Sequence, residues 1–158
     1  MDRRVNVPVT VHVGAENRPI GQSAGEFIAE QIGGTGAVIE IQGTAGASAT
    51  IDRHDGFMDA IEGTDIEVVA SQHADYLREN ALRFMEDQLQ RFGPGEIQAV
   101  YAHNDEMALG AVQALEAAGR LDEVVVVGID GQNSAFEAIA EGRLDASFVY
   151  PFVAPEGV

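Results

Sequence analysis

An open, doubly wound α/β sheet, mostly parallel and with helices on both faces, is the fold this sequence predicts. Short β-branched runs alternate with longer amphipathic stretches along the whole chain, the pattern of successive parallel βαβ units. Gly, Asn, Ser and Pro fall at the joints between these runs. The length of 158 residues and a hydrophobic content of 46% suit a single domain with one real core.

In chain order, strands are predicted at Val7–Val13, Ala37–Gln42, Glu67–Gln72, Ile97–Ala102, Val124–Ile129 and Ala146–Tyr150. Helices are predicted between them, at Ile20–Ile32, Ser48–Ile61, Leu77–Phe92, Asp105–Ala118 and Ser134–Ala140. The first helix rests on a stripe of Ile20, Ala24, Phe27, Ile28 and Ile32, and the third on Leu77, Ala81, Phe84, Met85 and Leu89. Asn17 with nearby Pro19, Ser48, and Asn133 or Ser134 are expected N-caps, while Gly33, Gly63, Gly93 and Gly119 stand where helices should stop.

Nine basic against 26 acidic residues give a formal charge of −17, and every basic residue is Arg. Such a surface repels phosphate backbones, so no nucleic-acid partner is expected. A salt-adapted source and a base-composition bias both account for acidic, Lys-free composition; only the first makes folding depend on molar salt. No apolar run approaches the ~20 residues of a membrane span. The first residues, Met1–Pro8, lack an apolar signal-peptide core, which leaves a cytosolic protein or a segment without its true beginning.

The absence of Cys removes disulfides, thiolate nucleophiles and Cys-ligated metals. No G-x-S-x-G elbow, H-E-x-x-H pair or EF-hand loop occurs, so neither a catalytic nor a metal site is expected. His54 and His73 are read as surface residues rather than ligands. The Gly43–Ser48 loop matches neither dinucleotide nor P-loop fingerprints and is read as a tight turn that lets backbone approach a ligand or a neighbour. Asp105-Glu106 is read as a helix N-terminus, where the dipole favours negative charge.

In an open α/β sheet ligands gather beyond the carboxyl ends of the strands. Arg53, Asn104 and Asp130 come from three such connections and Tyr76 from a fourth. A carboxylate to accept hydroxyl protons, a guanidinium and an amide to complete the pairing, and an aromatic plate suit a neutral polyhydroxylated ligand.

At these residues the sequence resembles the periplasmic sugar-binding proteins of the ribose-binding type, the soluble receptors of bacterial ABC importers. The stretches that carry the resemblance are Val38–Ala49, Arg53–Phe57, Ala70–Gln72, His103–Ala111 and Val126–Gly131. It runs from about residue 1 to 150. The resemblance implies one lobe of a two-lobe periplasmic-binding-protein fold whose ligand is held in the cleft as the lobes close. It divides the chain into an interlobe crossing and first strand at 1–13, the C-terminal sugar-binding lobe at 14–150, and the start of a return segment at 151–158. The N-terminal lobe would precede Met1.

By the same resemblance Arg53, Asn104 and Asp130 fall on hydroxyl-binding positions and Tyr76 on an aromatic wall. Asp2 and Arg3 match the Asp-Arg pair of the first crossing if one residue is deleted between them and Asn17. Tyr150 stands at the second crossing, where ribose binders carry Gln; that departure leaves room for another pentose, a hexose or a polyol. The implied protein is a periplasmic monomer that binds a small sugar or polyol and docks on an inner-membrane ABC permease, with no cofactor and no enzymatic activity. The alternative is the effector-binding domain of a lactose-repressor-type transcription regulator. Those carry a more apolar residue after the Asn-Asp pair and an aromatic-Asp-Asp ending on the fifth strand, where this chain has Asn104-Asp105-Glu106 and Ile129-Asp130-Gly131.

Overall fold

Alternation of buried strands with amphipathic helices produces the expected layered architecture. The structure, a computed structural model, describes residues 17–149. In chain order it comprises α1 (Asn17–Ile32), β1 (Thr35–Gln42), α2 (Ser48–Ile61), β2 (Asp65–His73), α3 (Arg78–Arg91), β3 (Ala99–Ala102), α4 (Asp105–Ala118), β4 (Val125–Ile129), α5 (Asn133–Ala140) and β5 (Ala146–Phe148), with one 3-10 turn at Leu121–Glu123. The strand expected at Val7–Val13 lies outside the described residues.

The strands form one parallel sheet in the order β2-β1-β3-β4-β5. Period-two alternation assigns the two faces. Val38, Ala99, Tyr101, Val127 and Ile129 pack under α1 and α2 with Ile20, Ala24, Ile28 and Phe57. Ile39, Ile41, Val100, Ala102 and Val126 pack on the opposite face with Phe84, Met85, Met107 and Leu115 of α3 and α4.

Glycine sets how closely the helices approach. A Cβ at Gly56 of α2 would lie 2.0 Å from the Arg18 carbonyl oxygen of α1, and one at Gly110 of α4 would lie 2.5 Å from the Arg78 carbonyl oxygen of α3. The crossings therefore bring backbone against backbone.

Helix starts differ from expectation in a regular way. Asn17 is itself helical, and its buried amide serves Arg53. Ala47 and Gln132 occupy the cap positions of α2 and α5 without a side-chain cap bond, and Ser48 and Asn133 are already helical. Among the described residues the helix-capping side chain is Asn104, whose Oδ1 accepts from the Met107 amide at 2.9 Å.

Candidate functional site

The chain leaves β1 for β2 on one side and then crosses to β3 on the other, so the sheet has its switch point between β1 and β3. Open α/β sheets bind ligands in that crevice, beyond the carboxyl ends of the strands. Gly43 follows β1 there, and His103 and Asn104 follow β3.

Arg53 reaches the crevice from the second turn of α2 and is only 1% exposed. Its Nε donates to Asn17 Oδ1 at 2.9 Å and its Nη1 to the His103 carbonyl at 2.5 Å. Nη2 lies 3.7 Å from Asp130 Oδ1. A guanidinium with its donor directions fixed in this way presents a planar fork that an ammonium cannot copy.

Asp130 follows β4 with a backbone φ of 125°, a conformation that side chains disfavour, and its side chain remains 28% exposed. Asn104 donates from Nδ2 to the Tyr76 carbonyl at 3.3 Å while capping α4. Tyr76 has φ 63°, its hydroxyl is 2.8 Å from Thr50 Oγ1, and its ring centroid is 6.0 Å from the Arg53 guanidinium carbon. The Gly43 turn is what lets this ring in, because a Cβ there would lie 2.0 Å from Tyr76 Cζ. Arg53, Asn104, Asp130 and Tyr76 thus meet at one edge, joined pair by pair; Asp2, Arg3 and Tyr150 lie outside the described residues.

Beneath them is a buried ionisable cluster that periodicity and motif spacing do not reveal. Glu40 and His103 are fully buried; Glu40 Oε2 accepts from His103 Nε2 at 2.8 Å, and His54 Nδ1 lies 2.9 Å from Oε1. The Gly43 amide donates to His103 Nδ1 at 3.4 Å, which leaves the proton of the neutral ring on Nε2. Burial opposes ionisation of Glu40, yet the hydrogen bonds from His103 and His54 prevail and hold its carboxyl below the usual range. Burial pushes His103 down in spite of Glu40, whereas the bond to Glu40 pushes His54 up. His54 is therefore a half-exposed partner of a buried carboxylate and not a plain surface residue; His73 is exposed, as expected, with Nδ1 2.9 Å from the Gly43 carbonyl. The available signal was Glu40 itself, a charge inside the run Val38-Ile39-Glu40-Ile41 of a strand covered on both faces.

Fold and crevice define a class, the open parallel α/β sheets with a crevice at the switch point. Within it, the chain belongs to the periplasmic binding protein family, whose model, described as periplasmic binding protein domain, matches residues 1–154. It is 40% identical over 139 residues to the ribose import binding protein of Haemophilus influenzae, an alignment covering 88% of this chain and 46% of the relative. Among solved structures it is similar to an ABC transporter solute binding protein from Bacillus halodurans C-125 with bound myo-inositol, at 39% identity and a TM-score of 0.89 over 94% of this chain and 52% of that one. It is also similar to the binding protein of the arabinose ABC transporter from Shewanella sp. ANA-3, at 33% identity and a TM-score of 0.88 over 96% and 53% of the two chains. The chain spans about half the length of these relatives. They are substrate-binding proteins rather than enzymes.

Proposed function

We propose that this chain supplies one lobe of the solute-binding component of a bacterial ABC sugar importer, and that its carboxyl edge is one wall of an interlobe cleft for a small sugar or polyol. The observation that carries the reading is the convergence of Arg53, Asp130, Asn104 and Tyr76 at the switch point, from separate βα connections. Around them stand exposed apolar side chains at the same edge: Ile51 and Phe136 in the first turns of α2 and α5, Leu77 before α3, and Val149 after β5. A polar centre with an apolar rim suits a face that closes on a partner lobe and leaves water outside.

In this reading residues 14–150 form the sugar-binding lobe, 1–13 the crossing and first strand, and 151–158 the start of the return segment. Asp130 accepts two ligand hydroxyls, Arg53 and Asn104 complete the pairing, and Tyr76 forms the wall; Asp2, Arg3 and Tyr150 join from the crossings. The whole protein acts in the periplasm, and its macromolecular partner is an inner-membrane permease.

Joining the chain to the amino-terminal half of a ribose-type relative and titrating by calorimetry with ribose, arabinose and myo-inositol tests the reading. At least one sugar should bind in the micromolar range, about −8 kcal/mol. Asp130→Ala should lose about 1–3 kcal/mol of that, since partner groups are left unpaired. Arg53→Lys should fail as well. Undiminished binding in both variants of a folded hybrid contradicts the assignment.

A further inference from the structure

Asp105, next to the capping Asn104, is fully buried, and its carboxylate does not serve its own helix alone. Oδ2 accepts from the Gln132 amide at 2.9 Å, and Oδ1 accepts from the Ser147 hydroxyl at 2.7 Å. Ser147 Oγ in turn accepts from the Gly131 amide at 3.0 Å, and the Asp130 amide donates to the Phe148 carbonyl at 2.9 Å. One carboxylate at the start of α4 thereby ties the loop after β4 to the strand β5.

The chemistry of the chain of bonds is directional. An ionised carboxylate can only accept, so the single proton of the Ser147 hydroxyl goes to Asp105 and its oxygen is left to accept from the Gly131 amide, while the second carboxylate oxygen takes the Gln132 amide. Burial pushes the Asp105 carboxyl up against these hydrogen bonds, so the charge is held there at a cost to its own solvation. Room is reserved for it as well: a Cβ at residue 128, which is Gly, would lie 2.5 Å from Asp105 Oδ1. The residue at the end of this brace is Asp130, with its φ of 125°. Such a backbone persists only where its surroundings over-determine it.

We propose that Asp105 is a positioning residue for ligand recognition: through Gln132, Ser147 and Gly131 it holds Asp130 in its strained conformation, with the carboxylate set against Arg53. This rests on the reading of the carboxyl edge as a sugar site. The Asn104-Asp105 pair then has two tasks, Asn104 capping α4 and binding Tyr76, Asp105 setting the opposite wall.

The test uses the 158-residue chain, its Asp105→Asn, Ser147→Ala and Asp130→Asn variants, and NMR with D-ribose and myo-inositol as probes. In sugar-free protein, Asp105→Asn should quicken amide exchange at Gly131 and Gln132 by about tenfold and leave Val100 in the central strand unchanged, because the opening is local. Ser147→Ala should act in the same direction and more weakly, and serves if Asp105→Asn does not fold. The sugar response weakened by Asp130→Asn should be weakened by Asp105→Asn too, and the two losses should not add. Unchanged exchange at Gly131 and Gln132, or acceleration equal across the sheet, overturns the inference. So does an unchanged sugar response in Asp105→Asn when Asp130→Asn has lost it, with the site reading intact. A response that Asp130→Asn leaves untouched overturns the site reading and the inference together.

Discussion

The two edges of the sheet solve the same problem, turning a chain between strand and helix, with different residues. At the amino edge, Gly119 and Gly142 adopt φ of 69° and 77°, and a Cβ on either would meet nothing within 4 Å. Those glycines supply conformation and nothing else. At the carboxyl edge the turns at positive φ include Asp75, Tyr76 and Asp130, while Gly43 is needed for room under the Tyr76 ring. At Tyr76 and Asp130 the backbone strain falls on residues whose side chains face the crevice. Charge divides by partner rather than by burial alone. Toward the carboxyl edge Arg53, Glu40, His103 and Asp105 are buried, whereas at the amino edge the buried Arg120 donates to the carbonyls of Leu89, Phe92 and Gly93, and Arg143 pairs with Glu116 at the surface.

The largest effect should come from the cluster beneath the crevice. Glu40→Ala leaves the buried His103 Nε2–H without an acceptor and should cost about 1–3 kcal/mol of stability; urea denaturation measures it, and a loss below about 0.5 kcal/mol would show that the cluster is solvated. Next, Asn104→Ala should cost about 1 kcal/mol of stability through the lost cap, and affinity in the hybrid protein as well. Gly142→Ala, at a positive φ with open space around it, should cost a similar amount of stability and no affinity. Equal affinity losses in the two variants would erase the distinction between the edges.

The histidines sharpen the comparison by pH. His103 has its pKa lowered from 6.5, so its contribution to stability is complete above that value and is lost as pH falls toward the lower folded pKa. His54 has its pKa raised from 6.5, so its contribution is complete below that value and is lost as pH rises through the higher folded pKa. The two slopes oppose each other. His54→Gln should leave a chain whose melting temperature falls as pH drops below 6.5 more steeply than that of the wild type; a flatter profile would contradict the buried, neutral His103. The smallest effect belongs to the amino edge: Arg143→Ala removes an exposed pair and should change stability by at most about 1 kcal/mol, with affinity intact.

Much of this contrast is legible in the sequence. The strands and helices emerge from periodicity because the central strands are covered on both faces and α1, α2 and α3 each bury one stripe, while α4 is buried nearly all round. Arg53, Asn104, Asp130 and Tyr76 stand out because parallel topology brings the carboxyl ends of all the strands, and the loops that leave them, to one edge. Burial is not legible: Arg53 reads as a residue early in a helix, and only its partners Asn17 and His103, from α1 and the end of β3, show why it can be 1% exposed. The Asp105 carboxylate reads as a helix-start charge for the same reason, since its partners Gln132 and Ser147 are remote in sequence. The expected caps Asn17, Ser48 and Asn133 are each the first helical residue instead.

The central claim is that the carboxyl edge is one wall of a sugar cleft. The most direct measurement is an NMR titration of the 158-residue chain with pentoses, hexoses and polyols, tracking every assigned amide. A single wall leaves ligand hydroxyls in competition with water, so binding no tighter than roughly millimolar is expected, about −4 kcal/mol. The shifts should be confined to Gly43, Tyr76, Asn104 and the Asp130–Gln132 turn, and the Gly119 and Gly142 amides should stay still. Shifts at the amino edge with none at Asn104 or Asp130 would contradict the account.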